Sequence, residues 1–187
     1  MEDKPRLLLH ICCAPCGAYP IKLLRDKFEV EAFFYNSNVH PREEYETRLE
    51  EARRYASETG VKFHEGDYDE QIWLRQVSGL ENELEGGRRC EICYRVRLGK
   101  TARFAAANGF DYFATALSIS PHKDVDTINS VGNLVSEMYS VSFYAADFKE
   151  NDGFKISAQL SREANLYRQD YCGCLYSKKK GKDNKNV

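Results

Sequence analysis

No apolar run in this chain approaches the roughly twenty residues that a bilayer-crossing helix needs. The opening "MEDKPRLLLH" also lacks the basic-then-apolar layout of a secretory signal. Residence in the cytoplasm, with no membrane partner, is the expectation that follows. Glycine and proline are scarce, at 12 and 5 residues, which excludes a fibrous or low-complexity chain. Charge of one sign is missing too: 27 Lys and Arg face 29 Asp and Glu, a formal net charge of −2. The molecule is therefore no polycation, although a local basic surface stays open to it. One absence is local. The first apolar segment, "RLLLHI", is not followed by a glycine-rich phosphate loop; "CCAPCG" stands there instead.

What is present suits one compact domain: 187 residues, 42% of them hydrophobic, with 12 Tyr and 10 Phe. The seven cysteines do not read as a disulfide framework, because the count is odd and the expected compartment is reducing. They fall in three groups: Cys12, Cys13 and Cys16; Cys90 and Cys93; Cys172 and Cys174. Isolated cysteines acting as small apolar fillers would scatter. Clustering argues for metal or redox chemistry.

Periodicity sets out an alternation of strands and helices. Strands are expected at 6–11, 30–36, 61–66, 110–117 and 141–147. Helices are expected at 17–28, 43–60, 90–109, 124–140 and within 155–169, with a short one around Trp73. Such an alternation implies a three-layer, doubly wound α/β fold with a mostly parallel sheet of about five strands. In the order 3-2-1-4-5, strands 1 and 4 flank the switch point. The loops "CCAPCG" and "SISPHKD" then border the ligand crevice. One catalytic domain is expected over 1–176, followed by a basic, flexible tail over 177–187.

Cys90-Glu-Ile-Cys93 at a helix start lets two thiolates chelate one metal or cluster, and Cys172-Gly-Cys174 is a second close pair. Spacing alone leaves three readings. A structural zinc site needs four of the seven cysteines and leaves three unexplained. A thioredoxin-like pair, Cys13-Ala-Pro-Cys16, ignores five others. An iron–sulfur cluster beside a second metal uses them best, since seven ligands suit two centres better than one.

The segment 88–103 adds Arg88, Arg89, Arg95, Arg97, Lys100 and Arg103 against Glu91 alone. On a helix, Cys93, Arg97 and Lys100 share one face. The tail contributes Lys178, Lys179 and Lys180. A basic face adjoining cysteines suggests an anionic polymer brought to a metal site, with Arg88, Arg89, Arg97, Lys100 and the three tail lysines as its contacts. Tyr94, Tyr167 and Tyr171, each beside a cysteine or near one, are candidates to stack on a base.

The chain resembles the QueH-type, cobalamin-independent epoxyqueuosine reductases, which complete queuosine in tRNA. The resemblance runs through "LLLHICCAPC", "FYNSNVHPREEY", "RRCEICYRVRL", "FATALSISPHKD" and "DFKENDGFKISAQLSREANLYRQDYCGC", nearly all of 7–176. It implies a [4Fe-4S] cluster beside a second metal ion, expected to be iron. It implies tRNA carrying epoxyqueuosine in its anticodon as the partner, an external electron donor, and two-electron removal of the epoxide oxygen. A more distant likeness is to the tRNA-thiolating enzymes built on an ATP-binding α/β fold. By that analogy Cys90, Cys93 and one of Cys172 and Cys174 hold the cluster, with a cysteine of the first loop as a further candidate, and the others bind the second metal.

Removing the oxygen needs a place for negative charge and a proton source. His122 and Asp124, in the loop after the fourth strand, are the catalytic candidates for this or for metal ligation. Asp124 is equally placed to cap the following helix. His10 reads equally as a packed strand residue. Asn36, Asn38 and Arg48 are candidates to touch the modified base or the backbone. Two rivals stand beside this reading: a cluster-dependent tRNA sulfur-transfer enzyme, against which the missing phosphate loop counts, and a zinc-binding or thiol-redox module.

Overall fold

The computed structural model describes residues 4–180, with side chains through 177. Five strands form one parallel sheet: β1 (Arg6–Ile11), β2 (Glu29–Phe34), β3 (Lys62–Glu65), β4 (Tyr112–Thr115) and β5 (Ser142–Phe143). Their spatial order is β3-β2-β1-β4-β5, the order expected from the sequence. The helices are α1 (Ala14–Leu24), α2 (Arg42–Glu58), α3 (Glu70–Gln76), α4 (Arg88–Ala107), α5 (Val125–Tyr139), α6 (Gly153–Glu163) and α7 (Leu175–Lys180).

Alternation along the central strand divides the core. Leu7, Leu9 and Ile11 face a layer with Ala18, Ile21, Leu49 and Ala52, from α1 and α2. Leu8 faces the opposite layer, with Leu98, Ala102, Ile128 and Val131, from α4 and α5. All three leucines of β1 are fully buried, and each contributes about 2 kcal/mol by leaving water. Helix α6 packs against α1. There the Ser157 hydroxyl donates to the Pro15 carbonyl at 2.6 Å.

Three boundaries differ from those expected. Helix α1 starts at Ala14 rather than 17, because Cys13 is extended and caps it, and Pro15 is tolerated in a first turn that has no backbone bond to lose. Strand β4 stops at Thr115, and a 3₁₀ turn follows over Ala116–Ile119. The Thr115 hydroxyl accepts from the Leu117 N–H at 3.2 Å and closes that turn. Strand β5 is two residues long rather than seven. Its ladder ends where the Tyr144 N–H donates to the Phe113 carbonyl at 2.8 Å. Residues 177–180, expected in the tail, belong to α7; residues 181–187 lie outside the described residues.

β1 and β4 are neighbours whose following connections run to opposite sides, β1 to β2 and β4 to β5. Their C-terminal ends therefore open a crevice. Among the described residues no helix is long and apolar enough to cross a membrane.

Candidate metal centre

The first thiol group is assembled by the turn from β1 into α1. Cys12 follows the last residue of β1, Cys13 is the N-cap of α1, and Cys16 lies in its first turn. The Cys13 sulfur accepts from the Cys16 N–H at 3.4 Å, in the place where a hydroxyl or carboxylate usually caps. Cys12 Sγ and Cys13 Sγ are 3.8 Å apart. The ligand atoms of Cys12, Cys13 and Cys16 all lie within 4.8 Å of one another. From across the cavity the Gln169 side-chain amide donates to Cys13 Sγ at 3.0 Å.

The second group gathers from two elements. Cys90 and Cys93 sit one turn apart at the start of α4, and the Gly86 N–H donates to Cys90 Sγ at 3.2 Å. Cys172 and Cys174 flank Gly173 in the segment before α7. Cys93 and Cys174 pack together with Trp73 and Val77. The glycine between the two cysteines is required. Its φ is +104°, and a Cβ there would meet Arg48 Nη1 and Val39 Cγ2, each at 2.9 Å.

Arg48 clamps this segment. Its guanidinium, 1% exposed, donates to the carbonyls of Cys172 (3.0 Å) and Tyr171 (3.1 Å) and pairs with Glu44 at 2.7 Å. The His40 N–H donates to the Gly173 carbonyl at 2.8 Å, fixing the same segment to the loop after β2.

Cys12 and Cys16 of the first group and Cys172 of the second line a cavity of about 450 Å³, whose wall also includes Arg97, Lys123 and Gln169. Two cations serve the sulfurs. Arg97 donates to Asn36 Oδ1 at 2.7 Å and lies 4.0 Å from Cys93 Sγ. Asn36 in turn donates to the Ile11 carbonyl at 3.1 Å, tying α4 to the ends of β1 and β2. Lys123 Nζ lies 3.4 Å from Cys172 Sγ.

Protonation follows from this packing. The thiols of Cys13 and Cys16 donate toward Cys12, which with Arg97 and Lys123 nearby holds Cys12 well below the usual thiol range. Burial pushes Cys13 up to about 12, and the contacts with Cys12 and Cys13 raise Cys16 above the usual thiol range. Burial pushes Cys93 up to about 12 and raises Cys90 and Cys174. Burial pulls Lys123 down, but its electrostatic interaction with Cys172 outweighs burial and raises it above the ordinary lysine range.

This donor set fits a thiolate-bound metal cluster. A metal displaces the protons of such thiols and balances the thiolates it creates, and an all-sulfur set selects iron–sulfur clusters or another soft ion. Among the described residues, two buried N–H groups close to Cys93 also lack partners: Arg97 Nε and Trp73 Nε1. Such N–H groups suit sulfur acceptors.

The expected site residues separate. His122 is exposed and lines the cavity. Asp124 caps α5, accepting from the Thr127 N–H at 3.0 Å and from the Thr127 hydroxyl. It is not part of the cavity wall. Lys123, between them, is the residue that reaches the sulfurs. No period in a short loop signals which of three consecutive side chains turns inward.

The basic face also divides. Arg88 is exposed. Arg89 is 2% exposed and donates to the carbonyls of Leu80, Glu81 and Glu83. Arg97 turns to the sulfurs. Lys100 pairs with Asp67 at 3.3 Å and Asp69 at 3.0 Å. Lys178, Lys179 and Lys180 fall in α7, and their side chains lie outside the described residues. Tyr94 is buried, Tyr167 is half exposed and donates to Glu44, and Tyr171 donates to the His40 carbonyl. His10 is fully buried in β1 between Thr115 and the Tyr35 carbonyl.

Comparison with known proteins places this geometry. The profile of the family described as epoxyqueuosine reductase QueH matches residues 7–180. A protein named epoxyqueuosine reductase QueH from Streptococcus pyogenes is 46% identical over 182 residues, covering 94% of this chain and 71% of that one. One of the same name from Dehalococcoides mccartyi is 40% identical over 176 residues, covering 92% of each. Among solved structures, the U34-tRNA thiolase NcsA from Methanococcus maripaludis with its [4Fe-4S] cluster superposes with a TM-score of 0.61. It shares 11% identity, and the match covers 94% of this chain and 62% of the thiolase. At that identity the likeness is one of fold.

Proposed function

The chain belongs to the epoxyqueuosine reductase QueH family, and on that premise we propose that it removes the epoxide oxygen of epoxyqueuosine in tRNA, with the thiol cavity as the reaction chamber. The observation that carries the reading is the convergence of thiols from two separate segments, Cys12 and Cys16 and then Cys172, on a cavity walled by Arg97 and Lys123, with Cys93 4.0 Å from the Arg97 guanidinium.

The reaction balances as epoxide plus two electrons and two protons giving alkene and water. Both carbon–oxygen bonds break and the oxygen leaves as water. Cys90, Cys93, Cys172 and Cys174, with Cys12, Cys13 and Cys16, are the ligands available for a [4Fe-4S] cluster and a second metal ion, expected to be iron. When bound, these groups supply electrons singly and a Lewis-acid position. The chain's own residues do the rest. Arg97 balances the thiolate charge from beneath. Lys123 Nζ presents a fixed positive charge where an oxygen leaving the cavity centre becomes anionic. His122, at the cavity wall and open to solvent, relays protons inward at its imidazole nitrogens. An external one-electron donor completes the cycle, and a tRNA substrate places the enzyme in the cytoplasm.

The test is direct. Protein purified without air is assayed for iron and acid-labile sulfide, then given dithionite and tRNA bearing epoxyqueuosine. Iron, sulfide and conversion to queuosine support the reading. Zinc alone, with no sulfide after reconstitution, overturns it. ATP-dependent sulfur transfer would overturn it too, although α1 opens on Cys13 and offers no phosphate loop.

A further inference from the structure

Two hollows on this surface share a wall. The thiol cavity and a shallower depression of about 470 Å³ on α6 are both lined by Phe154 and Ala158. Phe154, in the first turn of α6, leaves 41% of its surface exposed at this divide. Arg168 lines the thiol cavity and Arg162 the second hollow. Both are exposed, and among the described residues neither has an ion-pair partner. The acids nearby differ. Asp152, in the second hollow, is held by Lys155 at 2.7 Å, while Asp170 and Glu85 line the thiol cavity itself.

We propose that the RNA lies across these two hollows. The nucleotide to be reduced enters the thiol cavity, its neighbour stacks on Phe154 over the second hollow, and Arg162 and Arg168 meet the intervening phosphates. The inference rests on tRNA being the substrate. Its physical basis is that a nucleotide turned out of an anticodon stack leaves its neighbour without a partner, and an aromatic face replaces it. A lone exposed phenylalanine between two unpaired arginines matches a base with its phosphates. An apolar protein partner would meet a wall of Asp152, Lys155, Gln159 and Arg162 in the second hollow. This placement moves the RNA away from α4, where Arg89, Arg97 and Lys100 are engaged within the protein.

The experiment titrates the full-length, anaerobically loaded protein with an unmodified anticodon stem–loop RNA, read by fluorescence anisotropy over a range of salt. Phe154→Ala is expected to weaken binding roughly ten- to a hundredfold. Arg162→Ala with Arg168→Ala is expected to make the log–log salt slope shallower by about 1.4, two phosphates' worth for a single strand. Cluster absorption stays at the parent level in both, which shows that the fold survives. Phe154→Trp keeps parental affinity and Phe154→Leu does not. Equal binding by the parent and all these variants, or by the Leu variant alone, overturns the placement while leaving the tRNA reading intact. A parent protein that binds no RNA overturns both.

Discussion

Lys123 Nζ lies 3.4 Å from Cys172 Sγ, so the loop after β4 touches the Cys-Gly-Cys segment across the cavity. The contact joins two parts of the chain that are 49 residues apart. It places a cation between the first-loop thiols and those near the C-terminus.

That position predicts a catalytic loss without a structural one. Lys123→Met is expected to lower turnover of epoxyqueuosine-containing tRNA about a hundredfold, the scale of removing one charge-stabilising donor. Lys123→Arg is expected to recover part of it. Iron content should stay near the parental value in both. A matching loss of iron would make Lys123 a support for Cys172 rather than a participant.

Asp124 predicts the reverse pattern. Its carboxylate caps α5 through the Thr127 N–H, and those hydrogen bonds hold it below the usual carboxylate range. Asp124→Ala is expected to lower stability through the lost cap, visible as a lower unfolding midpoint. Turnover at low temperature should be unchanged. A large drop in turnover with normal stability would return Asp124 to the reaction.

The sequence and the structure diverge for definable reasons. Strand order was legible because apolar runs and amphipathic helices alternate, and a parallel sheet has few ways to accommodate that alternation. The thiol groups were legible from spacing. Which of His122, Lys123 and Asp124 turns inward was not, since a loop has no period. The fate of Arg89 and Arg97 was hidden too. Helical spacing shows which residues share a face but not what packs on it, and here the partners are the 80–83 loop and Asn36. β5 misled by composition: "VSFYAAD" stays strand-like after its ladder has ended at Tyr144.

Away from the cavity, Glu31 predicts an acid limb of stability. Its carboxylate is nearly buried and pairs with Arg6 (2.8 Å), Lys62 (3.2 Å) and His64 (2.5 Å). Burial pushes its pKa up, but the hydrogen bonds from Arg6, His64 and Lys62 outweigh burial and hold it at about 2. A folded-state value below the ordinary 4.5 stabilises the protein above that pH, and the stabilisation is lost as pH falls toward 2. Glu31→Gln is expected to cost about 2 kcal/mol at neutral pH, discounted for the exposed Lys62, and to flatten the decline in stability below pH 4.5. Chemical denaturation across that range measures both. A decline as steep in the variant as in the parent would assign the acid limb to other groups.

Trp73 is the only tryptophan in the chain, fully buried, and packed with Cys93 and Cys174. Among the described residues its indole Nε1 has no hydrogen-bond partner, a cost of about 1–3 kcal/mol for a buried donor left unmatched. His40 and Tyr176 lie tilted against its ring, with centroids at 5.5 and 5.9 Å, and neither is hydrogen-bonded to its N–H. The neighbouring thiols become good acceptors only once they are deprotonated by a metal. Hydrogen bonds to cluster sulfurs raise a reduction potential by stabilising the added negative charge. Trp73→Phe retains the ring packing and removes the N–H. It is therefore expected to keep its iron and sulfide while its reduction midpoint, followed by EPR in a redox titration, moves to a more negative potential. It should also resist denaturation at least as well as the parent when both are metal-free, because an unmatched donor has been deleted. A midpoint equal to the parent's would mean that Cys93 and Cys174 serve the second metal and that the cluster sits on the Cys12, Cys13 and Cys16 side of the cavity.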